Sequence, residues 1–242
     1  TSASTDHSGA IGVDAQENLL NQLTEEEGTR TRQVRDLGRV FLNGLRQRCE
    51  ANEAISVDTR QRYGQLLGTL EEQQQDVALY VLGRRGESAA HTRRDLGRHV
   101  EMISRQVRRP ILTVAGEFAE PRSALIAYDG KRMTRRCVDL IAQNPKLNDI
   151  PIHVIMSGKR ATDADKHLQW AKDTLNTAGF TVETAYSPGD PEQEITRAIG
   201  ERQADLLVMG AYSRSPLRSL ILGSRTNDLL RASQVPTVTI HL

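Results

Sequence analysis

Aromatic residues are scarce. Phe, Trp and Tyr together make up 4 % of the 242 residues, too few for the base-stacking platforms of single-strand-binding proteins. A charge excess of one sign is also missing. The chain carries 32 basic and 31 acidic residues, a formal net charge of +1, so neither nucleic acid nor an anionic membrane is expected as the main partner. No apolar run is long enough to span a bilayer, and no signal peptide is visible in a chain that starts at Thr1. There are only two cysteines, Cys49 and Cys137, both in helical patterns at core-facing positions. They read as buried free thiols of a reducing cytoplasm rather than as a disulfide or redox pair. The six histidines show no metal-ligand spacing with Cys or carboxylates. His153, inside an apolar strand, reads as a hydrogen-bonded core residue. No G-x-G-x-x-G follows a strand, no Walker A sequence occurs, and no serine elbow or Cys/His pair marks a nucleophile.

The most informative stretch that is present runs from Asp205 to Ile240. Leu206, Leu207, Val208 and Met209 form a short apolar run, the pattern of a parallel strand covered on both faces. Gly210 ends it. After a loop, Gly223-Ser224 opens a helix that carries Leu229 and Leu230 and stops near Ser233. Pro236 then starts a strand through Ile240, where its missing N–H is tolerated. A strand ending in Gly and a helix beginning with Gly-Ser set free backbone N–H groups beside the positive end of a helix dipole, an arrangement that suits a phosphate. Gly plus Ser alone equally describes an ordinary capped strand-loop-helix.

The spacing adds more. Gly210, two residues, Ser213, nine residues and then Gly223-Ser224 resembles the nucleotide-binding signature Gly-x2-Gly-x9-Gly-Ser/Thr of the universal stress protein family. The likeness extends through the preceding strand and the final Val-Pro-x-Val strand. One position departs from the pattern: the family's second Gly is Ser213 here. The resemblance implies an α/β fold with a doubly wound, parallel five-stranded sheet of order 3-2-1-4-5, of the adenine nucleotide alpha hydrolase-like kind.

The chain also contains an approximate internal repeat. The stretch from Asp76 to Gly83 parallels Asp205 to Gly210, Leu96 to Glu101 parallels Leu222 to Asn227, and Arg109 to Val114 parallels Val235 to Ile240. Self-similarity of this kind marks duplicated structural units. Two tandem copies are therefore expected, residues 1–116 and residues 122–242. In the first copy Gly83-Arg84-Arg85-Gly86 keeps the two-glycine opening, but ten residues separate Gly86 from Gly97 and Arg98 stands where Ser or Thr is expected. This copy is expected to be degenerate and to lack an N-terminal βαβ unit.

Along the first copy, residues 1–13 read as loop. A long amphipathic helix follows, with Leu19, Leu20, Leu23, Val34, Leu37, Phe41, Leu45 and Cys49 on one side. A break is expected near Gly28, and the helix is expected to cover a core rather than to form a coiled coil. A short strand is expected at Ala54 to Val57, a helix around Tyr63, Leu66, Leu67 and Leu70, and a strand from Val77 to Leu82. The second copy reads as complete. Its strands are Ala124 to Tyr128, Ile152 to Met156, an edge strand from Phe180 to Tyr186, then the two already described. Helices lie between them, with Gly179 as a stop signal and Asp190-Pro191 as a capped start. Strands alternating with helices of this length predict the doubly wound parallel sheet.

In such sheets ligands bind outside the carboxyl ends of the strands, where the strand order reverses. Asp129 and Gly210 close the two strands that flank that point. A carboxylate at Asp129 can accept hydrogen bonds from a ribose or an adenine edge, although Asp129-Gly130 is also a common turn pair. The resemblance implies further roles. Adenine would meet backbone groups at Ile155 or Met156. Gly210, Ser213, Gly223 and Ser224 would hold the phosphates of ATP, with or without Mg2+, or of AMP or ADP, with Arg225 and Thr226 also among the nucleotide-binding residues. It also implies a cytoplasmic binding and signalling protein of the stress response, with copies paired through their last strands as an intramolecular pseudo-dimer or a homodimer. The alternative is a nucleotide-free interaction module, favoured by Ser213. No residue offers a base for ATP hydrolysis, so at most a weak ATPase is expected.

Overall fold

The computed structural model describes residues 13–51, 56–84, 98–114, 116, 118–159, 162–211 and 229–241. The chain divides into two units, Thr1–Gly64 and Gln65–Leu242.

The first unit is built on helix α1, Val13–Glu50. It runs through Gly28 without the expected break. Nothing lies within 4 Å of where a Cβ on Gly28 would stand, so this glycine carries only its propensity penalty of about 1 kcal/mol, which a long helix absorbs. Residues 56–63 return along the helix without regular structure. Arg46 Nη2 donates to Thr59 Oγ1 at 2.6 Å, and the Arg35 guanidinium lies 5.5 Å from the Tyr63 ring centre. The strand expected at 54–57 is absent at Ser56 and Val57, while Ala54 and Ile55 lie outside the described residues. A strand without a neighbour forms no ladder to offset its ordering cost. The apolar stripe of α1 is not covered as expected: Val34, Leu37 and Phe41 are 54, 70 and 65 % exposed. Within this unit the returning segment takes the Arg35 and Arg46 side of the helix instead.

The second unit holds one seven-stranded sheet. In chain order its elements are α2 (Leu66–Gln73), β1 (Tyr80–Gly83), α3 (Arg98–Gln106), β2 (Ile111–Val114), β3 (Ala124–Tyr128), α4 (Arg132–Ala142), β4 (Ile152–Ser157), α5 (Ala164–Thr177), β5 (Val182–Ser187), α6 (Pro191–Glu201), β6 (Leu206–Gly210) and β7 (Thr237–Ile240). The sheet order is β1-β2-β7-β6-β3-β4-β5. Every neighbouring pair is parallel except β2 and β7, which run antiparallel with Ile111 opposite Thr239 and Thr113 opposite Thr237. From β3 onward the order is that implied at the sequence level, 3-2-1-4-5, with β5 at the edge. The first strand of this unit begins at Tyr80, three residues later than expected from Val77.

Local chemistry sets the boundaries. The Asp205 carboxylate accepts from the backbone N–H of Arg122 and of Ser123, both at 2.9 Å, which aligns the starts of β3 and β6. Asp190 caps α6 by accepting from Glu192 N and Gln193 N, with Pro191 in the first turn. Gly179 ends α5 at φ +93°. Phe180 N donates back to Leu175 O and Gly179 N to Asn176 O, a Schellman closure in which positive φ suits glycine.

Two core layers flank the sheet. Ile126, Val154 and Val208 pack with Cys137 and Val138 of α4 and Leu168, Ala171 and Leu175 of α5. On the other face Leu125, Ile155 and Leu207 pack with Ile195 and Ala198 of α6 and with Leu229 and Leu230. A smaller cluster joins Leu70, Tyr80, Ile103, Val107 and Ile111.

The bonds of β1–β2 recur in β6–β7. Tyr80 N donates to Pro110 O and Arg84 N to Val114 O; Leu207 N donates to Pro236 O and Ala211 N to Ile240 O. The helical turns before β2 and β7 also match, with Val107 N on Ile103 O and Ser233 N on Leu229 O. Arg84, just after β1, is buried, and its guanidinium donates to the carbonyls of Arg231 and Ser233 just before β7. A cation there meets carbonyls left over at the end of a helix.

Candidate functional site

A crevice of about 430 Å³ opens at the carboxyl ends of β3, β4 and β6. Its place follows from topology. After β3 the chain crosses through α4 to β4 on one side, and after β6 it leads to β7 on the other, so the two connections diverge and leave a crevice between the strand ends. The volume falls in the range of small-ligand sites.

The floor comes from Ala127, Tyr128, Met156 and Met209. Asp129 and Lys131 after β3, Ser157 at the end of β4, Gly158 and Lys159 just beyond it, and Pro191 and Ile195 of α6 also line it. Asp129 is held firmly for a half-exposed side chain. Its Oδ1 accepts from Thr134 Oγ1 at 2.6 Å and from Lys131 N at 3.0 Å. The backbone N–H of Asp129 in turn donates to Thr134 Oγ1 at 3.3 Å. Lys131 Nζ lies 3.6 Å from Oδ2. One carboxylate oxygen is thus used to fix the residue, and the lysine lies beside the other.

Gly210 serves by having no side chain. A Cβ there would stand 2.6 Å from Met133 Cγ and 3.2 Å from Met133 Cβ, so β6 can end this close to α4 only with glycine. Gly130 adopts φ +73° in the turn after Asp129, the left-handed region that L side chains resist.

Of the residues expected at the site, Asp129, Met156 and Gly210 meet in this crevice. Ile155 is buried in the core on the α6 side, and its register places it between Ala127 and Ala185 within the ladder. Ser213, Gly223, Ser224, Arg225 and Thr226 lie outside the described residues. Thr134 and Lys159 were not singled out from the sequence. Thr134 has a legible signal, a hydroxyl in the first turn of the helix after an Asp-Gly pair. Lys159 follows Gly158, which ends β4 at positive φ. His153 approaches Glu183 Oε2 at 3.4 Å through Nδ1.

The titratable groups beneath the crevice are held neutral. Burial pushes the Tyr128 phenol up to about 12, against the opposing pull of Arg135. Burial, then the charge of Asp129, pushes the Cys137 thiol up to about 12. Neither serves as a nucleophile or base near neutral pH. Both cysteines are free, Cys137 buried and Cys49 partly exposed. Ellman's reagent at pH 8 is therefore expected to titrate Cys49 alone in the folded protein and both thiols in guanidinium. Rapid native reaction of two thiols would show that the Cys137 layer opens.

Among the described residues no group of three or more His, Cys, Asp and Glu side chains is arranged to hold a metal ion, and no helix is long and apolar enough to cross a membrane.

Residues 121–241 match the model of the Universal stress protein family. Over 236 residues the chain is 32 % identical to the universal stress protein Slr1230 of Synechocystis, which covers 97 % of this chain and 82 % of that protein. The universal stress protein YxiE of Bacillus subtilis is 22 % identical over 143 residues, 48 % of this chain and 97 % of that one. Among solved structures, a universal stress protein from Archaeoglobus fulgidus superposes with a TM-score of 0.67 at 18 % identity, covering 97 % of this chain and 82 % of that chain. At that identity the likeness speaks for the fold.

Proposed function

The chain belongs to the universal stress protein family, and from that premise we propose that its β3/β6 crevice binds ATP or another adenine nucleotide, AMP or ADP included, as a binding and signalling protein of the stress response. The observation that carries this reading is Asp129, a carboxylate fixed by Thr134 and Lys131 N at the switch point of the sheet, above a crevice of small-ligand size. Its outer oxygen suits the hydroxyls of a ribose. Met156 and the end of β4 offer an apolar wall for a base, with Ile155 just behind. Lys131 and Lys159, both on the lining, supply positive charge for phosphates, with or without Mg2+. The phosphate loop of this reading is Gly210, Ser213, Gly223, Ser224, Arg225 and Thr226.

We read residues 1–116 and 122–242 as two copies, the first degenerate. The recurring hydrogen bonds of β1–β2 and β6–β7 support this, and the antiparallel β2–β7 ladder supports an intramolecular pseudo-dimer. The free thiols accord with the cytoplasm. Hydrolysis is expected to be weak at most. Asp129 is the one carboxylate on the described lining, and its bound oxygen leaves it poorly placed to activate water.

A second reading is a nucleotide-free interaction module, favoured by Ser213 in place of the family's glycine. Calorimetric titration with ATP and Mg2+ separates the two. The parent chain is expected to bind saturably, and Asp129→Ala to bind about 10- to 100-fold more weakly, the worth of one charge-assisted hydrogen bond. No heat from a folded parent chain would leave the interaction module standing.

A further inference from the structure

Beneath the Asp129–Gly130 turn lies a chain of polar contacts that no nucleotide contact requires. Arg135, one turn into α4, donates from Nε to Gly130 O at 3.0 Å. Its Nη2 meets His167 Nδ1 at 2.8 Å, and His167 Nε2 meets Asp163 Oδ2 at 2.8 Å. The guanidinium is stacked over Trp170, 4.7 Å from the ring centre. The imidazole also packs directly on the turn, since a Cβ on Gly130 would stand 2.6 Å from His167 Cγ and Cδ2. So two helices, α4 and α5, reach the turn through one relay.

The relay fixes the tautomer. A guanidinium only donates, so Nδ1 must accept, and the ring proton sits on Nε2 facing the Asp163 carboxylate. His167 is therefore neutral whenever the relay is complete. Protonation places a second N–H against Arg135. Among the described residues the charged groups that meet the imidazole are Asp163, just before α5, and Arg135 on α4, while Lys131 is tied to Asp129 within the turn. Asp163 stabilises an imidazolium and Arg135 opposes it, so a proton on His167 keeps the first contact and breaks the second.

Resting on the nucleotide reading above, we infer that Arg135 and His167 are positioning residues for Asp129, and that a proton on His167, by breaking the contact between Arg135 and the neutral ring, weakens the crevice's hold on its ligand. With the ring protonated Arg135 swings off it, its hold on Gly130 O weakens, and the Asp129 carboxylate loses its fixed aim. With the ring neutral the turn is clamped. The sign follows from the acceptor role of Nδ1: the ligand-competent turn prefers the deprotonated histidine, so acid disfavours it.

The test has two arms on the full chain. In the first, amide resonances of Asp129 and Gly130 are followed from pH 8 to 5 in the ligand-free protein, beside the His167 ring signal. Both amides are expected to move with the ring in the parent chain and to stay still in His167→Gln, whose side-chain amide supplies an acceptor for Arg135 and a donor for Asp163 without titrating. In the second, ATP affinity is measured at pH 8 and 5.5. The parent chain is expected to lose about tenfold more affinity on acidification than His167→Gln, the worth of one charge-assisted hydrogen bond. Taking the difference between the two proteins cancels the titration of the nucleotide itself. Arg135→Lys, which keeps the charge but not the fork, is expected to bind more weakly at both pH values. Amides that ignore the ring titration, or equal acid losses in the parent chain and His167→Gln, overturn the inference. Amides that follow the ring in a protein that binds no ATP at any pH would uphold the relay and sink the nucleotide reading instead.

Discussion

Leu207→Ala is expected to lower the unfolding free energy by about 3–5 kcal/mol, the upper part of the range for a buried leucine truncated to alanine. Leu207 has no exposed surface. It sits in β6, between β3 and β7, opposite Leu125 on one side and Thr237 on the other. Its side chain packs into the layer formed with Ile195, Ala198, Leu229 and Leu230. Strand neighbours on both sides hold the backbone, so the cavity cannot close by a local shift. The measurement is urea unfolding: a lower midpoint with an unchanged slope would register lost stability alone. A cost under about 1 kcal/mol would mean that this layer relaxes as a surface does. Because Leu229 belongs both to this layer and to the lining of the crevice, the same variant should also loosen the site. Fold and site share this wall.

The parts of the fold read correctly from the sequence are those where one local rule decides. Short apolar runs such as Leu206 to Met209 have no amphipathic alternative and become strands buried on both faces. Asp190-Pro191 and Gly179 are legible because capping and positive φ are properties of one or two residues. Errors arose where distant partners decide. Ala54 to Val57 has strand composition, yet Ser56 and Val57 form none without a neighbour to complete a ladder. Val77 to Leu79 has it too, yet the ladder with β2 begins only at Tyr80. The stripe of α1 has the period of a buried face, but period alone does not supply what covers it.

The same division runs through the site. Asp129 and Gly210 were legible as crevice residues because they end strands that flank a topological switch, and Gly210 also because it opens a spacing that resembles a family signature. Thr134, five residues from Asp129, is a local contact that hydrogen-bonding rules can anticipate. His167 lies 32 residues from Arg135, and no periodicity places its ring on Gly130. Only the packing of α5 against α4 brings them together. Residues that touch a ligand tend to sit at strand ends; residues that aim them come from wherever the helices pack.

That packing makes Gly130 the most sensitive position of the turn. Gly130→Ala is expected to cost about 2–4 kcal/mol and to abolish ligand binding: about 1–2 for a side chain in the left-handed region, and the rest for overpacking against the imidazole. The two contributions separate in a double-mutant cycle. His167→Ala removes the ring that a Cβ would strike 2.6 Å away but leaves φ +73° unchanged. In that background Gly130→Ala should cost about 1–2 kcal/mol less, the coupling expected of residues in direct contact. Binding should not return with the stability, because Arg135 then has lost its partner while the turn still carries its strain. Zero coupling would place the whole cost in the backbone, and the ring would be a bystander to the turn. Coupling together with recovered binding would mean that steric room, and not the hold of Arg135 on Gly130 O, governs the aim of Asp129.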